Sequence, residues 1–165
     1  MKTFIIAAVT ADGFIGKTAD HLADWTSPED KKLFVRLTKR AGVMVMGART
    51  FETIGRALPG RRTIVYTHHP ERITAAGVET TAEPPAELVK RLRAEGAPGL
   101  AICGGAGIYS QFLEAGAVDE LHLTVEPILF GEGIKLLNQS TETTMSLIHF
   151  EPLGEHTIYL HYVLN

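Results

Sequence analysis

Three carboxylates surround the single tryptophan, Trp25, in the segment DWTSPEDKKLF: Asp24, Glu29 and Asp30. Ser27 followed by proline and acids is typical of a helix start, so Asp30 could simply cap that helix. At about 100° per residue, however, Asp30 lies in the middle of the apolar face, whereas Glu29 lies on the polar side. An inward carboxylate could be a desolvated acid with a raised pKa, or could bind an aminopyrimidine-like ring through paired hydrogen bonds. Both roles stay open, and the helix geometry favours the chemical one.

Two glycine-containing junctions follow apolar segments and could bind phosphate. In ICGGAGIYSQFL, Gly104 and Gly105 end a strand and open a helix, where bare backbone and free N–H groups suit a pyrophosphate. In MVMGARTFETIG, Gly47 is followed by Arg49 and Thr50, which suit a phosphate monoester. Either junction alone could be a turn without a ligand, because neither matches the full dinucleotide-binding fingerprint.

A third apolar segment ends in YTHHP, which places Thr67 and His68 at the same edge of a parallel sheet. Three strand ends with phosphate-compatible groups predict an extended phosphorylated cofactor such as a dinucleotide. Cys103, at one of these ends, has no base partner evident in the sequence. We therefore expect Cys103 to be a small residue lining the pocket rather than a nucleophile.

The other histidines show no metal-binding pattern. Four of them lie in C-terminal apolar segments without clustered cysteines or acids: His122, His149, His156 and His161. His68 and His69 are adjacent, so they cannot both face one way in a strand. We predict structural or surface roles for the histidines and no metal site.

The elements that position these groups follow from the hydrophobic pattern. Eight strands are predicted: TFIIAAV, GVMVMG, RTIVYT, GVETT, LAICG, ELHLTVEP, TMSLIHFEP and HTIYLHYVL. Four helices lie among them: SPEDKKLFVRLTKRA, ARTFETIG, PPAELVKRLRAEG and GAGIYSQFLEAG. Strand–helix alternation predicts an α/β fold with a mostly parallel sheet. Only LGE separates the last two strands, so they should form a C-terminal antiparallel hairpin.

The whole chain narrows the class of protein. Its 165 residues fit a single domain, 1–165, with 45% hydrophobic and 21% charged residues. A net charge of −3 without long basic runs argues against nucleic acid as a partner. No apolar run is long enough to span a bilayer, and the opening MKTFIIAAV is interpreted as a strand rather than a signal peptide. The single cysteine excludes an internal disulfide and suits the cytoplasm.

The order of these segments resembles the dihydrofolate reductase family. The resembling segments are IIAAVTADGFIG, DWTSPEDKKLF, VMGARTFETIGRALPGRR, ICGGAGIYSQFL and DELHLTVEP. They cover nearly the whole chain, and the resemblance is weakest after about Pro127. It implies a dihydrofolate-reductase-like sheet of eight strands and a reductase that passes hydride from NADPH to dihydrofolate. Monomer and homodimer are both left open.

The resemblance also implies a set of site residues. The catalytic residues would be Asp30, aided by Thr124 and by water near Trp25, while Arg61 would meet the carboxylate of the folate tail. The other substrate-binding residues would be Ile6, Ala7, Ala8, Phe34, Ile54, Leu58, Cys103 and Tyr109. Residues around the cofactor would be Ala8, Ile15, Gly16, Gly47, Ala48, Arg49, Thr50, Thr67, His68, Cys103, Gly104, Gly105, Ala106, Gly107, Ile108 and Tyr109.

Two alternatives accompany this interpretation. GEGIKLL and TADGFIG resemble the related reductase domain of riboflavin synthesis, which acts on a ribosylated aminopyrimidine. A nucleotide-binding module without catalysis would keep the glycine junctions but would not need an inward-facing Asp30. LPGRR and Asp30 favour folate as the substrate.

Overall fold

A central sheet of eight strands organises the computed structural model, which describes all residues 1–165. Its strands are β1 (Lys2–Thr10), β3 (Val43–Gly47), β4 (Arg62–Tyr66), β5 (Val78–Thr81), β6 (Gly99–Ile102), β7 (Glu120–Glu126), β9 (Met145–Leu153) and β10 (Thr157–Leu164). A small second sheet contains β2 (Phe14–Gly16) and β8 (Ile134–Lys135). The helices are α1 (Pro28–Ala41), α2 (Ala48–Ile54), α3 (Pro85–Ala94) and α4 (Ala106–Glu114).

The strands of the main sheet lie in the order β5-β4-β3-β6-β1-β7-β10-β9. Every pair from β5 to β7 is parallel, whereas β10 is antiparallel to both β7 and β9. The predicted α/β class, the mostly parallel sheet and the C-terminal hairpin are therefore confirmed. None of the four helices is long and apolar enough to cross a membrane.

Alternation along the buried strands divides the core between the two faces of the sheet. In β3, Val43 and Val45 join the cluster that packs with α3 and α4, whereas Met44 and Met46 join the one that packs with α1 and α2. All four side chains are buried, because the strand is covered on both faces. This explains why the central strands appear as continuous apolar runs in the sequence.

The strands β2 and β8 pair antiparallel, although 120 or so residues of chain separate them. Neither was predicted, since strands of three and two residues have no recognisable alternation. Gly133 lies within the GEGIKLL motif, at a position where the backbone requires glycine. Its φ of +151° and its close approach to the backbone of Gly16 leave no room for a Cβ.

Strand pairing also corrects the expectation for the histidines. β10 aligns against β7 so that His161 lies directly opposite His122. Glu120, two residues before His122 on the same strand, lies on the same face and contacts both rings. The expectation that no acid clusters with these histidines was therefore wrong, because the cluster is assembled across strands that are distant in the sequence.

Candidate active site

A cleft of about 810 Å³ opens at the carboxyl ends of the central parallel strands. Ala7 and Ala8 reach it from β1, Gly47 from β3 and Cys103 from the residue after β6. The Gly47 amide donates to the Gly104 carbonyl at 2.8 Å, which holds two of the junctions side by side. This is the edge at which open α/β sheets place their ligands.

Asp30 enters this cleft from the first turn of α1. The hydroxyl of Thr124, on β7, donates to Asp30 Oδ1 at 2.5 Å. Burial raises the pKa of Asp30, and the hydrogen bond from Thr124 opposes part of that rise. The site therefore contains a carboxyl group that holds its proton at a higher pH than an exposed aspartate does.

The start of α1 also resolves whether Asp30 is a capping acid. Ser27 Oγ accepts from the Asp30 amide at 3.1 Å, as expected of an N-cap serine. In a capping box, the acid would accept a hydrogen bond from the Ser27 amide. Here that amide instead donates to Glu126 Oε1 at 3.0 Å. Glu126 also accepts from Ser27 Oγ at 2.9 Å and from Thr157 Oγ1 at 2.8 Å. The carboxyl group of Asp30 is thus left to face the cleft.

One part of the cleft wall is largely apolar. The predicted substrate-binding residues in it are Ile6, Ala7, Ala8, Phe34, Ile54, Leu58, Cys103 and Tyr109. The Tyr109 hydroxyl donates to the Ile6 carbonyl at 2.9 Å, and burial raises the pKa of that hydroxyl. Burial also raises the pKa of the Cys103 thiol, so this residue stays a neutral thiol, in agreement with the expected lining role.

Another part of the wall is rich in glycine and includes the start of α4. A Cβ at Gly104 would lie 3.1 Å from Tyr109 Oη, and one at Gly105 would lie 3.3 Å from Thr50 Oγ1. Gly105 caps α4 without any side-chain hydrogen bond, so the first amides of that helix have no side-chain partner. The other predicted cofactor residues in the wall are Ile15, Gly16, Gly47, Ala48, Arg49, Ala106, Gly107 and Ile108.

Trp25 lies in the wall as well, with its ring edge-on to Phe130 at a centroid distance of 5.2 Å. Asp12 accepts hydrogen bonds from the amides of Phe130 and Gly131, at 3.2 and 2.7 Å. Trp25 thus contacts the loop after β7 from the loop before α1, and Asp12 contacts it from the turn after β1. The loop that contains Trp25 thereby becomes one side of the cleft.

Four predicted site residues do not line the cleft directly: Arg61, Thr67, His68 and Thr124. Thr124 still reaches the site through Asp30, and the Arg61 guanidinium lies 6.0 Å from the ring of Phe34, which is in the wall. Thr67 and His68 are brought no closer, since Thr67 Oγ1 accepts from the His69 amide at 2.9 Å and His68 is exposed. Neither residue lines the cleft, so their contact with the adenosine phosphate of a cofactor stays a prediction.

Several lining residues were missed by the sequence analysis: Thr18, Ala19, His21, Ala23, Thr26, Lys31, Thr53, Gln111, Ile134 and Asn138. Most of them lie in loops, where no periodicity predicts which side chain faces inward. His21 is oriented by the Lys17 amide, which donates to its Nδ1 at 3.1 Å.

The family of the chain follows from its relatives. The family model described as dihydrofolate reductase matches residues 2–129. Dihydrofolate reductase type 3 of Salmonella typhimurium is 40% identical over 124 residues, which cover 75% of this chain and 71% of that protein. The chain belongs to the dihydrofolate reductase family, a family of oxidoreductases.

Solved structures agree on the fold. Dihydrofolate reductase from Enterococcus faecalis, complexed with NADP(H) and RAB-propyl, is 26% identical, with a TM-score of 0.72 over 99% of this chain and 96% of that one. A protein from Shewanella sp. PV-4, described as a riboflavin biosynthesis protein, is 21% identical. Its TM-score is 0.82 over 100% of this chain and 99% of that one. Both likenesses confirm the predicted architecture.

Proposed function

We propose that this chain reduces 7,8-dihydrofolate to tetrahydrofolate with NADPH. The single observation that carries the proposal is the Asp30–Thr124 pair, in which a partly buried carboxyl group faces a cleft of about 810 Å³. A nucleotide-binding module without catalysis would gain nothing from such a carboxyl group, because burying it is unfavourable. Perturbed acids in clefts are typical of sites that move protons.

Asp30 binds the pyrimidine edge of the pterin through paired, charge-assisted hydrogen bonds. Thr124 fixes the orientation of the carboxyl group by donating to Oδ1 at 2.5 Å. The raised pKa lets Asp30 hold a proton closer to neutral pH, so that it supports protonation of the ring during reduction. Trp25, in the loop before α1, lines the same cleft and would order the water beside Asp30.

NADPH fits the glycine-rich wall and supplies the hydride when it is bound. Gly104 and Gly105 line the cleft without side chains, and no side chain caps the start of α4, whose first amides can donate to its phosphates. Arg49, exposed at the edge of the cleft, provides a cation for the adenosine 2′-phosphate. These residues hold the cofactor against the wall that faces Asp30.

Arg61 anchors the folate tail at the rim. Its Nη1 donates to the Val35 carbonyl at 3.3 Å, and its guanidinium lies beside Phe34, which lines the cleft. Its Nε is buried without a hydrogen-bond partner. A carboxylate of the tail would give the guanidinium a paired acceptor.

The second candidate is reduction of a ribosylated aminopyrimidine. The observation in its favour is the likeness to the riboflavin biosynthesis protein from Shewanella sp. PV-4, whose TM-score exceeds that of the Enterococcus reductase. GEGIKLL, which forms β8 against β2, adds to it. Asp30 could bind the aminopyrimidine ring in the same way, whereas Arg61 would then lack a tail carboxylate.

The deciding experiment compares three substrates and two variants. Loss of NADPH absorbance is measured with dihydrofolate, with a tail-less dihydropterin and with the ribosylated aminopyrimidine. We expect turnover of dihydrofolate, and Arg61→Ala should raise its KM by about 10-fold while leaving the tail-less substrate unchanged. Arg62→Ala is the matched control, because Arg62 is held by Glu79 and Glu95. Turnover of the aminopyrimidine alone would overturn the proposal.

A further inference from the structure

Three side chains converge at the end of β7 that lies away from the cleft: Glu120, His122 and His161. Glu120 Oε2 lies 3.1 Å from His161 Nε2 and 3.4 Å from His122 Nε2. One ligand atom from each of the three residues lies within 4.8 Å of the others. His122 is buried, whereas Glu120 and His161 are 17% and 19% exposed, so a small ion could reach the cluster from solvent.

The spacing of the three atoms suits coordination of a metal ion. Zinc binds histidine nitrogen and carboxylate oxygen at about 2.0–2.2 Å, which in a tetrahedral site places neighbouring ligand atoms roughly 3.3–3.6 Å apart. The two distances to Glu120 Oε2 are close to that range. The His122 and His161 rings are stacked at 4.0 Å, so closing the third edge around one ion requires the partly exposed His161 ring to turn out of the stack.

The neighbours of His122 orient its ring so that Nε2 faces Glu120 Oε2. Tyr159 Oη lies 2.6 Å from His122 Nδ1, so the other ring nitrogen already has a partner. Phe4 packs edge-on against the ring at 4.8 Å, and His161 stacks on it at 4.0 Å. An acceptor on the second nitrogen orients a metal-binding histidine, and the Tyr159 hydroxyl can accept from the Nδ1–H of His122.

The carboxyl group of Glu120 divides its two oxygens between different neighbours. Lys2 Nζ lies 3.3 Å from Oε1, while Oε2 faces the two imidazoles. Lys2 is 64% exposed, so its contact can adjust when an ion binds to Oε2. Two imidazoles and one carboxylate favour Zn²⁺ over Mg²⁺ or Ca²⁺, which prefer oxygen ligands.

We propose that Glu120, His122 and His161 form a Zn²⁺ site, with water at the fourth position. The site belongs to the β7–β10 pair and is separate from the cleft, where Thr124 marks the other end of β7. The alternative use of these groups is a hydrogen-bonded cluster without metal, in which Glu120 accepts from both rings. The two arrangements differ in whether the folded chain binds one metal ion.

The experiment titrates chelator-treated protein with Co²⁺, whose visible absorption is strong in a tetrahedral site, and then displaces it with Zn²⁺. We expect one equivalent of Co²⁺ to bind and one equivalent of Zn²⁺ to remove it. His161→Gln and Glu120→Gln should each weaken binding by at least about 10-fold. Tyr159→Phe, which keeps all three ligands, should weaken it by about 10- to 100-fold.

His156→Gln is the matched control, because His156 is exposed and outside the cluster. Circular dichroism and the Tm in chelator establish that each variant is folded, and Tyr159→Phe provides a test should a ligand variant not fold. The proposal is overturned if no saturable binding of Co²⁺ or Zn²⁺ occurs, or if His161→Gln binds as tightly as the parent. A thiolate-to-cobalt absorption band would place the ion at Cys103 and would also overturn it.

Discussion

Two carboxyl groups, those of Glu126 and Asp30, lie near the start of α1 but differ in what surrounds them. Glu126 is 3% exposed and accepts hydrogen bonds from the Ser27 amide, Ser27 Oγ and Thr157 Oγ1. Asp30, three residues after Ser27, accepts from Thr124 and faces the cleft. The first carboxyl group is enclosed by donors from the protein, whereas the second is left open toward a ligand.

This difference separates a structural acid from a chemical one. A buried carboxylate with a full set of donors stabilises the fold, since its desolvation is compensated. A partly buried carboxyl group that faces a cleft has its desolvation only partly compensated and stays available for a ligand. Substitution of Glu126 should therefore change the free energy of unfolding, and substitution of Asp30 should change catalysis.

The largest effect is expected for Asp30→Asn. The variant keeps the shape of the side chain but loses the titrating group, so kcat/KM for dihydrofolate at neutral pH should fall by at least about 10²-fold. NADPH binding, followed by fluorescence, should be retained. Glu29→Gln is the matched control, since Glu29 does not line the cleft. Equal losses in the two variants would contradict a chemical role for Asp30.

Glu126→Gln should lower the stability of the fold and leave catalysis nearly unchanged, the reverse of what is expected for Asp30→Asn. One oxygen is replaced by an NH₂ group that cannot accept, which leaves a donor of Ser27 or Thr157 without its partner. The free energy of unfolding in urea should fall by about 1–3 kcal/mol, while kcat/KM changes little. A loss of activity as large as that of Asp30→Asn would abolish the distinction between the two acids.

Two threonines allow the two acids to be compared through their hydrogen-bond donors. Thr124 and Thr157 are both 2% exposed, and each donates to one of the two carboxyl groups. Thr124→Val should lower kcat/KM by about 10-fold, because the orienting hydrogen bond to Asp30 is lost. It should also shift the pH profile upward, since that bond lowers the pKa of Asp30.

Thr157→Val should instead leave kcat/KM unchanged and lower the free energy of unfolding by about 1–2 kcal/mol. The two variants are compared by steady-state kinetics across pH and by urea unfolding. If Thr157→Val shifts the pH profile as Thr124→Val does, the two hydrogen-bonding groups are coupled, and the separation between structure and chemistry does not hold.

The smallest effect concerns the pH dependence of stability. Because burial raises the pKa of Asp30 above its ordinary value of 3.8, the folded chain holds this proton more tightly than the unfolded chain. The resulting stabilisation is fully present below that ordinary value and is lost as the pH rises through the folded pKa. Asp30→Asn lacks this dependence, so its stability relative to the parent should increase with pH over that window.

Urea unfolding of the parent and of Asp30→Asn at a series of pH values measures this difference directly. Contributions from acids that do not interact with Asp30 cancel in the comparison. A difference that stays constant with pH, or that falls as the pH rises, would mean that the pKa of Asp30 is not raised in the folded chain.

Local periodicity alone predicted much of the architecture. Alternating or continuous apolar runs marked all eight strands of the main sheet, and the helical period placed Asp30 among the apolar residues of α1. These features depend on neighbours within one or two turns of the chain, so the sequence contains them directly. Motifs that resemble those of the dihydrofolate reductase family, in the same order along the chain, indicated the family. The relatives of the chain confirm it.

Tertiary structure decided the partners of these groups. Thr124 lies 94 residues from Asp30, and Glu126 lies 99 residues from Ser27. The register of β10 against β7 places His161 opposite His122, and loops without periodicity supply much of the cleft wall. Such contacts depend on how all the strands align and pack together, and no local pattern contains that information.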